Sequence, residues 1–222
     1  MLRSLKSLFD YGLKATDGEI GSVNDFYFDD QLWTIRYLVL KTHKWLPGRD
    51  VLISPLSLGQ PDWEHRIVPT MLNKVQIEQS PDIKSHTIVT REEEERLIKY
   101  YNWSPYWTNK PNTHLQSARQ VLGYTIATRD DPFGSVDDLI IDDHDWHVRY
   151  FVVTTSLIPS KKVLLSLDWI KEIVHSGKKV HVDLLKKQVE NSPEYNIDQP
   201  VNRGYEEVLY DYYGKPKYWD KI

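Results

Sequence analysis

The sequence predicts a mainly β protein with short helices (α+β). Its frame is a tandem duplication of a small antiparallel β-barrel, each copy followed by a helical, aromatic-rich tail. Three observations predict this. The chain repeats itself at a nearly constant offset. Each repeat alternates apolar and polar residues in short runs set apart by turn residues. Each repeat then changes to helical spacing behind a capping residue.

The repeat is read residue by residue. Gly21-Ser22-Val23 recurs as Gly134-Ser135-Val136, 113 positions on, and the same offset carries Asp29-Asp30 to Asp142-Asp143. It also carries Trp33 to Trp146, Arg36-Tyr37 to Arg149-Tyr150, Val39 to Val152 and Thr42 to Thr155. Between Thr42 and Pro47 one residue is lost, and the offset becomes 112. Pro47, Val51-Leu52, Val68, Ser80-Pro81, Arg91, Tyr100-Tyr101 and Tyr106-Trp107 then match Pro159, Val163-Leu164, Val180, Ser192-Pro193, Arg203, Tyr212-Tyr213 and Tyr218-Trp219. One adjustment over the whole chain places two repeats at 1–110 and 111–222, divided in the polar stretch Asn109–Thr113.

Within each repeat the elements follow in order. Val23, Phe26 and Phe28, and later Val136, Leu139 and Ile141, mark a strand that ends in an Asp-rich turn. The β-branched and aromatic runs Trp33–Leu40 and Trp146–Val153 close a hairpin on it. Val51-Leu52-Ile53 and Val163-Leu164-Leu165 read as third strands. A second hairpin is expected at Ile170–Val174 and Val180–Val182 around Ser176-Gly177-Lys178, with its counterpart turning at Gln60-Pro61-Asp62. Short helical turns are expected at Leu72–Ile77 and Asp183–Val189. Thr90 with Glu93 three residues later is a capping-box pattern, and Asn202 starts the equivalent helix.

Composition removes several classes of function. With 32 acidic and 28 basic residues the net charge is −4, which argues against a broad basic nucleic-acid face. The absence of cysteine excludes disulfides, Cys-ligated metals and thiol catalysis. No apolar run approaches the ~20 residues of a spanning helix, and Met1–Leu8 interleaves its leucines with charges, unlike a secretory signal. A cytoplasmic, soluble protein is expected. No Gly-x-Ser-x-Gly elbow, phosphate-cradling glycine loop or His-Glu-x-x-His pattern is present, so neither catalytic residues nor an enzyme are expected.

The remaining candidates are weighed one by one. Asp29-Asp30 and Asp142-Asp143-His144-Asp145 suit a hard cation but lack the full calcium-loop pattern, and aspartate also belongs in tight turns for its own sake. His144 and His147 have Gln31 and Thr34 as their counterparts, so they are not part of the shared architecture. No cofactor or metal site is assigned. Arg36 and Arg149, in mid-strand, call for a structural pairing. The aromatic tails carry the expected partner-binding residues: Tyr101, Trp103, Tyr106 and Trp107, then Tyr213, Tyr218 and Trp219. Such rings either pack on their own barrel or present interface anchors, and both roles are compatible.

These residues resemble the PRC-barrel family, in two tandem copies. The resemblance is carried by Asp17-Gly18-Glu19-Ile20-Gly21-Ser22-Val23, the Asp29-Asp30 turn and the Trp33–Leu40 strand, and again by Phe133-Gly134-Ser135-Val136. The second copy has Asp130-Asp131-Pro132 in place of the Asp-Gly-Glu lead-in. Similar barrels occur in the cytoplasmic domain of the photosynthetic reaction centre H subunit and in the C-terminal domain of a ribosome maturation factor. The resemblance implies a barrel used for protein contact and assembly, without a shared catalytic constellation. The expectation is a non-enzymatic scaffold or adaptor that meets a protein partner, a membrane-associated complex or a second copy of itself. A second reading stays open: a regulatory module that binds a small ligand or metal ion through the acidic turns or a cleft between the barrels.

Overall fold

The structure is a computed structural model that describes residues 1–42, 49–83, 89–107, 114–156 and 158–220. The stretch Asn109–Thr113, where the sequence divides the repeats, lies outside the described residues. The chain forms two compact units. One is Ser7–Arg119; the other joins Met1–Lys6 to Gln120–Ile222.

The 7–119 unit is built on β2 (Gly12–Ala15), β3 (Gly18–Asp29), β4 (Thr34–Lys41), β5 (Asp50–Ile53), β6 (Ile67–Pro69) and β7 (Leu115–Ser117). Its sheet runs β5-β4-β3-β2-β6, with β7 added on β3. The helices of this unit are α1 (Lys74–Glu78) and the tail helix α2 (Arg91–Tyr101). In the other unit, β1 (Leu2–Ser4) joins β8 (Thr125–Ala127), β9 (Pro132–Asp142), β10 (Val148–Thr154), β11 (Lys162–Ser166), β12 (Ile170–Val174) and β13 (Lys179–Val182). That sheet runs β11-β10-β9-β8-β13-β12, with β1 added on β9. The short α3 (Ala118–Val121) follows β7, and α4 (Lys186–Glu190) and the tail helix α5 (Arg203–Tyr213) follow β13.

Two sheets of this kind correct the expected antiparallel barrel. Both are mixed, because β6 runs parallel to β2 and β13 runs parallel to β8. Both are also open: among the described residues no ladder joins the end strands of either order. Alternation along a strand reports which face is buried but not which strand lies alongside. The connection from β2 to β6 is long enough for a parallel return.

The linear repeats also exchange their first strands. Leu115–Ser117, 113 positions after Leu2–Ser4, pairs with β3, while Leu2–Ser4 pairs with β9. Each added strand is fastened by a buried aspartate that sits at a bulge. Asp25 accepts from the Ser117 hydroxyl at 2.5 Å and the Arg119 N–H at 2.9 Å. Asp138, 113 positions on, accepts from the Ser4 hydroxyl at 2.5 Å and the Lys6 N–H at 2.9 Å. Burial pushes both carboxyls above the usual carboxylate range, against the pull of these hydrogen bonds.

Local chemistry explains most boundaries. Thr90 and Glu93 form the capping box of α2, and the Asn202 side chain accepts from the Tyr205 N–H at the start of α5. The strand runs begin one and two residues later than expected, at Thr34 and Val148, since Trp33 and Trp146 have φ of 51° and 59°. The second hairpin forms in the 120–222 unit as expected. Its counterpart in the 7–119 unit turns not at Gln60–Asp62 but over residues 63–66, closed by an Asp62–Ile67 bridge. Pro61 has no N–H for a ladder, and Asp62 instead caps the N–H groups of Glu64 and His65.

The glycines that open the first hairpins are sterically required. Gly21 and Gly134 have φ of 145° and 84°, and an added Cβ would lie 2.2 and 2.6 Å from the carbonyl oxygens of Lys41 and Thr154. Gly21→Ala is therefore expected to destabilise by more than about 2 kcal/mol, read by urea unfolding; a loss within error would show that the strands can separate to admit the methyl. Deleting residues 2–4 is expected to raise amide exchange over 139–142 in β9 and to leave 23–29 in β3 protected. The opposite pattern would reject the exchanged pairing.

Candidate functional site

The tail of each unit is held by a buried glutamate. Glu94, in the first turn of α2, is fully buried. Its Oε1 accepts from the hydroxyls of Tyr37 on β4 at 3.1 Å and Tyr106 beyond the helix at 2.6 Å. Its Oε2 accepts from Arg91 Nη1 at 2.7 Å. In the 120–222 unit Glu206 repeats the arrangement. Tyr150 and Tyr218 donate at 2.6 and 2.8 Å, and Arg203 Nη1 lies 3.0 Å away. One carboxylate thus ties together a central strand, a helix and the segment after it.

The arginines also stack on the tail rings. The Arg91 guanidinium lies 3.8 Å from the Trp107 ring centroid and Arg203 4.0 Å from that of Trp219. Arg36 lies over Tyr106 at 4.0 Å, and Arg149 over Tyr218 at 4.7 Å. Arg149 finds a structural carboxylate partner, Asp145, at 2.8 Å. For Arg36 the structure gives the ring contact, and desolvation lowers its pKa.

The aromatic residues singled out in the sequence occupy two places in each unit. Tyr106 and Trp107 meet edge to face with centroids 4.8 Å apart, as do Tyr218 and Trp219 at 4.9 Å, and all four belong to the glutamate clamps. Tyr101 stacks on Trp103 at 4.3 Å, and the Trp103 indole N–H donates to the Ser57 hydroxyl at 2.7 Å. Tyr213, which is 7% exposed, packs on Trp169 at 4.4 Å. The indole thus comes from the tail in one unit and from position 57 plus 112, Trp169, in the other, where Lys215 replaces Trp103.

Beside the first clamp is a cleft of about 180 Å³ lined by Asp29, Gln31, Leu32, Arg91, Tyr106, Trp107 and His114. Three aspartates of the acidic turns cap backbone N–H groups, while Asp30 accepts from the Gln116 amide and Asp143 pairs with the Met1 ammonium. Asp29 Oδ1 accepts from the Gln31 and Leu32 N–H groups, Asp142 from the His144 N–H and Asp145 from the His147 N–H. Among the described residues no group of three His, Asp or Glu side chains is placed to hold a metal ion. No helix among them is long and apolar enough to cross a membrane. The residues that sequence reasoning missed are Glu94, Glu206, Leu32 and His114. An Arg-x-x-Glu spacing, Arg91 to Glu94 and Arg203 to Glu206, is the signal that could have found the clamps.

Burial, the larger influence, raises the Glu94 pKa against the pull of Tyr106, Arg91 and Tyr37. The folded state therefore binds a proton at a pH where the unfolded chain has released it. Glu94 makes the fold more stable as pH falls from above its folded pKa toward the ordinary glutamate value. Glu94→Ala leaves Arg91 and two tyrosine hydroxyls without their acceptor and is expected to cost about 3–5 kcal/mol at pH 7. In Glu94→Gln the stability of the wild type relative to the variant is expected to grow between pH 7 and pH 5. Urea unfolding at both values measures it, and a difference that shrinks over that range would overturn the assignment.

Comparison with known families returns one match: the PRC-barrel domain, over residues 115–189, about a third of the chain. No curated protein matches. The matched stretch begins at β7, the strand paired in the 7–119 unit, and ends inside α4. It includes neither tail helix.

Proposed function

We propose that the chain consists of two copies of one PRC-barrel-type unit and works as a non-enzymatic scaffold or adaptor that docks a protein partner. The observation that carries this reading is an apolar face on the 7–119 unit whose outward positions are charged in the other unit. Leu56, Met71 and Val75 are 59%, 64% and 54% exposed, and Tyr100 borders them. Local contacts make the face continuous. The Met71 N–H donates to the Ser57 carbonyl, Trp103 reaches the Ser57 hydroxyl, Tyr101 lies between Trp103 and Tyr100, and Tyr100 bonds the Gln76 carbonyl.

The positions 112 residues on argue that this is not a by-product of the fold. Leu56, Met71, Val75 and Trp103 are answered there by Asp168, Asp183, Lys187 and Lys215. Asp183 is engaged in ion pairs with Lys171 and Arg129. The same frame is thus compatible with a charged surface, so packing does not require the exposed apolar residues. Such a patch, with aromatic rings at its centre, is typical of interaction sites.

The unit's own counterpart supplies the test. Leu56→Asp, Met71→Asp and Val75→Lys together are expected to change stability little, since they are exposed. They are expected to remove a stoichiometric partner captured by the wild type from separated soluble and membrane fractions. Unchanged capture, or capture lost equally on charge substitution at Val208 of the other unit, would sink the reading. Self-association is the remaining outcome, read as a concentration-dependent mass in the wild type that the triple variant abolishes.

A further inference from the structure

We infer that the cleft beside the first clamp binds a carboxylate attached to a small apolar group. The ligand anion would meet Arg36, and its apolar part would lie against Leu32 and Trp107. This site is separate from the apolar face around Trp103 and does not depend on it.

The argument is an internal comparison. In the 120–222 unit Arg149 lies on Tyr218 and its Nη2 reaches the Asp145 carboxylate, four residues earlier in the hairpin turn. In the 7–119 unit Arg36 lies on Tyr106 in the same way, but the turn residue at the position of Asp145 is Leu32. The frame is the same and the turn carboxylate is missing, which leaves Asp29 as the carboxylate with the largest attraction for Arg36. Leu32 lines the cleft of about 180 Å³ together with Tyr106, the ring over which Arg36 lies, so the cleft borders the Arg36 stack without Arg36 itself lining it. One unit contains its own occupant, and that occupant is an acid.

The surroundings fit this chemistry. Arg91 lines the cleft as a second cation, held against Trp107 by stacking and against Glu94 by its hydrogen bond. His114 adds a third when protonated, 3.6 Å from Asp30. Asp29 is the acidic residue of the lining, but its Oδ1 is bonded to the Gln31 and Leu32 N–H groups. Its counterpart Asp142 bonds the His144 N–H and pairs with the Met1 ammonium in the unit where Arg149 and Asp145 pair, so an aspartate here is compatible with a bound carboxylate where a cation offsets it, as Arg91 of the lining would. Guanidinium pairing with carboxylate supplies the strength and direction of recognition. The volume is below that of sites for drug-sized ligands, which fits a small acid or one terminal residue.

The test titrates the full chain with benzoate and with benzamide while observing the tryptophan indole N–H resonances, Trp107→Phe identifying the reporter. Benzoate is expected to shift the Trp107 signal, and benzamide is not. Leu32→Asp supplies the acid internally and is expected to weaken benzoate at least about tenfold, the scale of one charge-assisted hydrogen bond. Arg36→Met tests the same loss without adding a charge, and Asp145→Leu is expected to create a benzoate response at Trp219. A peptide with a free C-terminal phenylalanine, compared with its amide, separates a chain terminus from a free acid by which of the two acids binds more tightly. Equal responses to benzoate and benzamide, or wild-type affinity in both Leu32→Asp and Arg36→Met, would overturn the assignment.

Discussion

Each unit depends on placing one carboxylate where water cannot reach it. Removing a glutamate from solvent is costly, and Glu94 and Glu206 offset part of that cost through three donors from three different segments. The donors cannot be satisfied separately. If the segment after the helix swings away, Tyr106 or Tyr218 leaves, and the carboxylate faces a buried tyrosine and an arginine with its coordination incomplete. The clamp therefore fixes the helix on the sheet and fixes the aromatic pair that follows it. Trp107 and Trp219 stand on their arginines as a consequence, and so the cleft has a wall.

The second constraint acts at the other end of each sheet. Asp25 and Asp138 each bond a hydroxyl and an N–H from a three-residue strand that the chain supplies from a distance. Such a strand has too little area to hold itself by burial, and its ladder is short. A buried acceptor with two donors waiting for it supplies the specificity that length does not. The same solution at positions 113 apart makes the exchange reciprocal, so one compact unit is the contiguous Ser7–Arg119 and the other joins Met1–Lys6 to Gln120–Ile222.

The sequence made the elements legible because hairpins, caps and turn glycines are local. Gly21, the Thr90–Glu93 box and the Asp29 turn each depend on neighbours within a few residues, apart from the carbonyl that excludes a Cβ at Gly21. Pairing across distance was not legible. Nothing in Leu115-Gln116-Ser117 says that it belongs on β3, or that β6 returns parallel to β2. Glu94 was hidden for a different reason. It lies in the run Glu92–Glu95 at a helix N-terminus, where acidic residues satisfy the helix dipole and stay in water. Only burial separates it from its neighbours, and burial depends on which face of α2 meets the sheet.

The two units differ where their packing leaves them free to differ. Exchange of the indole between Trp103 and Trp169 keeps a ring against Tyr101 or Tyr213, so the interior is filled in both. The outward positions have no such compensation. Leucine, methionine and valine on one unit stand where aspartates and lysine stand on the other, and Leu32 stands where Asp145 closes an ion pair. An exposed apolar side chain adds little to a fold that the charged version also supports, and with Leu32 in place of an aspartate Arg36 has no equivalent of the Arg149–Asp145 pair. Both changes weaken the free protein, or leave it unchanged, and both become favourable once something covers the face or fills the cleft. In the function proposed above, this asymmetry reflects binding by the 7–119 unit rather than a requirement of folding.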